Sequence, residues 1–285
     1  FNHHYQHRIT SSFGSIAHLE RDSTHSKLTE EDLAHFESII DNSAGNAIIS
    51  SSNEDLSSYN TDWLKKYIGT SQLVLKPKTT QEVSSILSYC NKRKLAIHTQ
   101  AGNTSLVGGG VPVFDEIILN TSRMNSILSF DEISGILICE SGCILQETDN
   151  YLRLIDEPRK EYPSITERHK IPHIFPLDLG AKGQCQIGGN ISTNAGGLRL
   201  VRYGSLHGSV LGLEVVTADG NILNLLSECR KDNTGYDLKQ LFIGSEGQLG
   251  VITKACVLCP KWCSSTNLMF ASVNSFEDVL KINEM

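Results

Sequence analysis

An α+β fold, with hairpins as well as crossovers, is what this 285-residue sequence predicts. Three observations carry that expectation. Short apolar runs of strand length alternate with stretches of helical period from about Trp63 to Pro260. Ala218-Asp219-Gly220 separates two apolar runs, and Asp-Gly in that position marks a tight hairpin, which a purely parallel sheet does not contain. Fourteen of the 23 glycines fall between Gly180 and Gly250, a density that weakens regular elements and needs a reason of its own.

The elements follow in order. Thr29 can cap a helix near residues 30–40, in which Leu33, Phe36 and Ile40 share a face. Ser43 to Asn60 is rich in Ser and Asn and reads as loop, so the compact part is expected to begin near Trp63. Leu73-Val74-Leu75 is a strand ended by Pro77. Thr79 or Thr80 caps a helix whose Val83, Ile86, Leu87 and Cys90 fall together. Leu95 to Ile97, Glu116 to Leu119 and Gly135 to Cys139 are strands, and Leu145 to Leu154 is a helix. Val210 to Thr217 and Ile222 to Leu225 form the hairpin. Asp237 to Ile243 is a short helix, Gly250 to Leu258 a strand, and Ser275 to Glu284 a helix. Asp156 to Lys170 holds eight charged residues, two prolines and no hydrophobic period, and reads as an inserted, solvated loop.

Composition removes several classes. The net charge of −7 argues against a general nucleic-acid binder, which needs a basic face. No apolar run approaches the roughly 18 residues of a membrane span. Eight scattered cysteines are too sparse for a disulfide scaffold and read as reduced, intracellular thiols. Residues 1–19 carry no acid and are rich in His and Ser, as the end of an organelle transit segment would be; a plain tail reads the same way. A chain that opens on Phe1 and stops inside a helix is expected to be a fragment.

Two glycine-rich stretches invite a ligand. One is Gln100-Ala101-Gly102-Asn103-Thr104-Ser105 with Gly108-Gly109-Gly110, directly after a strand; the other is Gly188-Gly189-Asn190, Asn194 to Gly197 and Gly244 to Gly247. Backbone without Cβ atoms lets a ligand lie against it, and adjacent amides can converge on an anion. The alternative is a set of turns and a long hairpin loop. Neither stretch is a Gly-x-Gly-x-x-Gly at a strand-to-helix junction or a Gly-Lys-Ser/Thr loop, which disfavours nicotinamide and nucleoside-triphosphate sites. Two distant stretches suit a long ligand threaded between two subdomains, as FAD would be. Rival constellations are weaker. Cys256, Cys259 and Cys263 lack a fourth ligand, His3-His4-x-x-His7 sits in the expected tail, and His98 and His207 read as loop histidines rather than bases. Gly244-Ser245-Glu246-Gly247 lacks the Gly-x-Ser-x-Gly spacing of a hydrolase.

The run Pro176 to Gly183, then Ile187-Gly188-Gly189-Asn190, Thr193 to Gly197 and Arg202-Tyr203-Gly204, resembles the FAD-binding domain of the vanillyl-alcohol-oxidase-type flavoproteins. Gly212 to Val216, Asp219-Gly220 and Gly244 to Gly250 resemble it as well. Arg230 to Leu238 and Val111 to Glu116 narrow the likeness to the mitochondrial branch that oxidises D-2-hydroxyglutarate.

The resemblance implies a PCMH-type FAD-binding fold of two α+β subdomains over residues 63–260, with an insertion at 156–170. It makes 1–62 an N-terminal extension and 261–285 the start of a substrate, or cap, domain that is missing here. It implies that Gln100, Gly102, Asn103, Thr104 and Ser105 hold the pyrophosphate. Pro176, Asp178, Gly188, Gly189, Asn190, Thr193, Asn194 and Gly197 would line the flavin and the remaining phosphate–ribose path, and Gly247 and Ile252 would close over the adenosine. Ala101 stands where the family has Gly, and Asn103 where some relatives link the flavin to His, so the FAD would be non-covalent. The implied reaction is oxidation of D-2-hydroxyglutarate, a small-molecule 2-hydroxy acid, to 2-oxoglutarate by hydride transfer from C2 to flavin N5; the alternatives are a D-lactate or glycolate dehydrogenase of the same fold and a non-catalytic FAD-binding fragment. An electron-transferring flavoprotein would be the acceptor, in the mitochondrial matrix. The catalytic base, the substrate-binding Arg and a divalent metal would belong to the missing domain.

Overall fold

The computed structural model describes residues 20–43, 45–154 and 170–284. The expected transit remnant at 1–19 and the insertion at 156–170, apart from Lys170, lie outside these residues.

The first lobe opens with α1 (Glu30–Ile39), whose Thr29 and Asp32 form a reciprocal capping box. β1 (Ile48–Ser50) follows and pairs antiparallel with β2 (Leu73–Leu75). α2 (Thr80–Arg93) then crosses over to β3 (Ile97–Gln100), and β4 (Ile117–Asn120) inserts between β2 and β3, parallel to both. β2 and β4 are buried at every residue, which is why they read as apolar runs rather than alternating ones. Thr79 caps α2 by accepting from the Glu82 amide at 3.1 Å, and Lys94 ends it with φ 58°. Val83, Ile86, Leu87 and Cys90 meet Leu73, Leu75, Leu119 and Phe36 of α1 in the first core.

Asp32 anchors this lobe. Its fully buried carboxylate accepts from Thr29, Tyr89 (2.7 Å) and Arg93 (2.8 Å). Burial by itself would raise its pKa, but the hydrogen bonds from Arg93, Tyr89 and Thr29 outweigh that and hold the acid well below the usual carboxylate range.

The second lobe is an antiparallel sheet of β5 (Ile127–Asp131), β6 (Ile136–Glu140), β7 (Val210–Val216), β8 (Ile222–Leu225) and β9 (Val251–Leu258), in the order β5-β6-β9-β7-β8. α3 (Leu145–Leu152) and α4 (Ile187–Ser192) pack on it through Leu145, Leu152, Ile187 and Ile191, with Phe175 between elements. α5 (Phe276–Glu284) buries none of its residues. No helix among the described residues is long and apolar enough to cross a membrane.

The lobes share contacts. Val216 and Val251 of the second sheet belong to the first core. The β7–β8 hairpin turns at Gly220 (φ 88°), where a Cβ would strike Ser84 and Ser88 of α2; the Gly220 carbonyl accepts from Ser84 at 2.6 Å. Buried Glu214 accepts from Thr80 of α2 at 2.6 Å and from Thr253 at 2.9 Å, and pairs with Lys254 at 3.1 Å.

Three expectations change. The stretch 43–60 is not all loop: it contains β1, and Leu56 is buried, so the ordered lobe begins ahead of Trp63, itself 62% exposed. The strand expected at Leu95 to Ile97 sits two residues later, because the Leu95 amide still bonds to the Cys90 carbonyl and closes α2. β5 was not expected: its burial alternates over only five residues and gives little signal. All eight cysteines are free, and burial pushes the Cys256 thiol up to about 12, unsuited to a thiolate ligand. Among the described residues no group of His, Cys, Asp and Glu is placed to hold a metal.

Candidate cofactor site

A cleft of about 980 Å³ opens between the lobes, at the upper end of the range for cofactor sites. One wall is the loop after β3. Three side chains, Gln100, Asn103 and Asn120, brace its backbone. Gln100 donates to the carbonyls of Tyr59 (2.9 Å) and Gly110 (2.7 Å), and Asn120 donates to Gln100 and to the Ala101 carbonyl. Asn103 donates to the Ser58 and Thr61 carbonyls, at 3.2 and 2.8 Å. With those side chains engaged, the amides of Gly102, Asn103, Thr104, Ser105 and Leu106 have no acceptor among the described residues. Five consecutive open amides along a cleft form a ready anion site. Among the described residues no Lys or Arg lines the cleft, and Glu246 is the one charged residue lining it.

The opposite wall is α4 with the 244–247 turn. Its amides are mostly engaged: Gly188 donates to Ser141 (2.7 Å), Gly244 to Ile191 (3.1 Å) and Glu246 to Ser192 (2.8 Å). The two walls touch at Gly102. A Cβ there would overlap the Gln184 carbonyl, while the Gln184 side chain donates to the Gly102 carbonyl at 3.0 Å. Ala101 has no left-handed backbone, so its methyl carries no strain of the kind a glycine relieves. That methyl lies 2.7 Å from where a Cβ on Gly189 would fall, so the bare backbone at 189 makes room for it.

The sequence-expected residues divide. Gln100, Gly102, Asn103, Thr104, Ser105, Gly188, Gly189, Asn190, Thr193, Gly247 and Ile252 line the cleft. Pro176, Asp178, Asn194 and Gly197 do not. Pro176 is buried, in a segment whose neighbouring carbonyls, Phe175 and Leu177, accept from Arg199. Asp178 pairs with Lys182 at 3.1 Å, and Gly197 lies so close to the Asp178 carbonyl that a Cβ would overlap it. Asn194 (φ 45°) and Asn103 (φ 49°) each keep a buried Oδ1 with no donor. Sequence reasoning missed Thr121, Gln184, Gln186 and Glu246. They are single polar residues with no spacing that marks them, although Glu246 falls inside a glycine cluster already singled out.

The histidines stand apart. His98 hydrogen-bonds to the Gly110 backbone behind the loop, and burial pushes its pKa down, which leaves it neutral. His207 bonds to Gln240. Neither lines the cleft.

With this geometry in hand, residues 71–155 and 168–226 match the FAD binding domain family, about half of the chain. The chain belongs to that family. As an FAD binding domain it is 52% identical to a mitochondrial D-2-hydroxyglutarate dehydrogenase of Arabidopsis thaliana, over 95% of this chain and 45% of the relative. It is 55% identical to one of Danio rerio, over 90% and 44%. It is also 55% identical to a mitochondrial protein of Schizosaccharomyces pombe named as a D-lactate dehydrogenase, over 96% and 50%. The chain thus spans about half the length of these relatives. Among solved structures, an alkyldihydroxyacetonephosphate synthase superposes with a TM-score of 0.68, covering 88% of this chain and 43% of that one; at 17% identity the likeness is one of fold.

Proposed function

We propose that this chain is the cofactor-holding half of an FAD-dependent dehydrogenase of D-2-hydroxy acids, with D-2-hydroxyglutarate as the favoured substrate. The observation that carries the reading is the row of open amides from Gly102 to Leu106 in a cleft that has no cationic side chain among the described residues. Such a row suits a diphosphate flanked by neutral groups.

In this reading Gly102, Asn103, Thr104 and Ser105 hold the diphosphate through backbone N–H, while Gln100 acts only by holding the loop. Gly188, Gly189, Asn190 and Thr193 form the second wall, with Gly247 and Ile252 at its edge. Pro176, Asp178, Asn194 and Gly197 frame that wall from outside. Bound FAD supplies a two-electron acceptor for the substrate hydride. The Asn103 side-chain nitrogen is tied to the Ser58 and Thr61 carbonyls, and no His stands in its place, in keeping with non-covalent FAD.

The substrate-reading groups, the base and any divalent metal are assigned to the part of the relatives' length that this chain does not span, with 261–285 as the beginning of that domain. The acceptor is assigned as an electron-transferring flavoprotein and the location as the mitochondrial matrix, with 1–19 as transit remnant. The S. pombe relative supports a second reading, a D-lactate dehydrogenase of the same fold. A third is an FAD-binding piece without turnover. The purified chain is expected to be yellow, to absorb near about 450 nm as any oxidised flavin does, and to release FAD on denaturation. A folded, colourless product that takes up no FAD overturns the proposal. D-2-hydroxyglutarate and D-lactate, offered with an artificial acceptor to a full-length version, separate the substrate readings.

A further inference from the structure

Gln186 occupies an unusual position. It precedes α4 as its N-cap residue, yet its side chain makes no cap hydrogen bond. Its oxygen instead accepts from the Thr121 hydroxyl at 2.7 Å, which joins the start of α4 to the residue after β4. Thr121 is 4% exposed and Gln186 6%, and both line the cleft. The backbone of Gln186 is fixed as well, by an antiparallel bridge to Ile144 and by accepting from the Asn190 amide at 2.9 Å.

The chemistry of Thr121 sets which way the carboxamide points. The structure places the Gln186 oxygen against it, the orientation that gives the hydroxyl proton its acceptor, since no other acceptor for it lies among the described residues. The Gln186 Nε2 then faces the other way. It has no protein acceptor among the described residues and is not sealed from solvent. Since so little of the residue is exposed and it borders the cleft, the cleft is where that nitrogen opens.

We infer that Gln186 is a binding residue of the cofactor site, presenting its Nε2 as a neutral hydrogen-bond donor to an acceptor atom of bound FAD, and that Thr121 is the positioning residue that fixes this orientation. The inference rests on the FAD reading above. It adds a side-chain donor on the wall whose amides are mostly engaged.

Gln186→Glu tests it, because an oxygen replaces the donor nitrogen in a side chain of the same shape and the bond from Thr121 survives. Binding of FAD to the apo chain is measured by quenching of flavin fluorescence. At about pH 8 the variant should bind roughly 30-fold more weakly than the parent, equivalent to about 2 kcal/mol. At about pH 5, as the new carboxyl gains a proton and becomes a donor again, the gap should shrink to about threefold, a recovery that a purely structural defect does not show. Thr121→Val should weaken binding about fivefold while Thr121→Ser stays within about twofold. Apo melting temperatures separate lost folding from lost contact. A change in the flavin absorption bands of Gln186→Glu places the contact on the ring, and weaker binding with unchanged bands places it on the sugar–phosphate chain. A parent that binds FAD alongside a Gln186→Glu form that binds equally well at both pH values overturns the inference and leaves the FAD reading standing. A folded parent that takes up no FAD overturns both.

Discussion

On the loop wall, three braced side chains hold a backbone whose amides from Gly102 to Leu106 are open; on the α4 wall, most amides are engaged and polar side chains such as Gln186 line the cleft. Gln100, Asn103 and Asn120 make the first arrangement by donating to carbonyls and to one another. Gly188, Gly244 and Glu246 make the second by donating their amides to Ser141, Ile191 and Ser192. The difference teaches that substitutions on the two walls fail for different reasons. On the loop wall the shape of the chain carries binding and the identity of an outward side chain matters little. On the α4 wall, single side chains such as Gln186 carry it.

The largest test of this contrast is Gly102→Ala. The new methyl overlaps the Gln184 carbonyl, backbone against backbone, and neither side yields by a rotamer change. FAD affinity is expected to fall about 100-fold, or about 2.7 kcal/mol, read by fluorescence titration. A loss under threefold would break the claim that loop shape governs this wall.

Asp32→Asn probes the lobe that carries the loop. It removes the charge that Arg93, Tyr89 and Thr29 surround and is expected to cost about 2 kcal/mol at neutral pH by chemical denaturation. The sign with pH follows from the shift. The folded-state pKa of Asp32 is depressed, so its contribution is complete above the unfolded value of about 3.9 and drains away as pH falls below it toward the folded value. Glu214 behaves alike: burial would raise its pKa, but Thr80, Thr253 and Lys254 outweigh it and bring it down. The parent should therefore lose stability on acidification below about pH 4, and the Asp32→Asn form should lose less.

Gln100→Leu comes next. It leaves the Tyr59 and Gly110 carbonyls and the Asn120 side chain short of a partner, and FAD should bind about tenfold more weakly through loss of the loop's shape. Thr104→Ala is the smallest. Its hydroxyl makes no hydrogen bond among the described residues while its amide is one of the open five, so affinity should change by less than about twofold. A tenfold loss there would transfer binding from backbone to side chain and dissolve the contrast between the walls.

The sequence made the apolar architecture readable where a period ran long enough. Val83, Ile86, Leu87 and Cys90 mark α2 at helical spacing, and Val251–Leu258 is a central strand with continuous apolar character. Ile48–Ser50 left no such trace, because three residues carry no period and its place is set by pairing with Leu73–Leu75. His98, Thr99 and Gln100 hid the true extent of β3, since a polar strand beneath a ligand loop looks like loop. Glycine density pointed to both walls. Which polar residues line them was not readable, for Gln184 and Thr121 matter through contacts with residues 82 and 65 positions away in the chain. Nor could the motifs separate cleft from frame: Gly197 lies in the same motif as Thr193, yet packs on the Asp178 carbonyl outside the cleft.

Among the described residues no lysine or arginine lines the pocket, so it lacks the amines that acetylation and carbamylation modify. Peptide N–H groups neither titrate in the cellular range nor react with acyl donors. Exhaustive amine modification of the loaded protein should therefore alter its surface charge and leave its yellow colour in place.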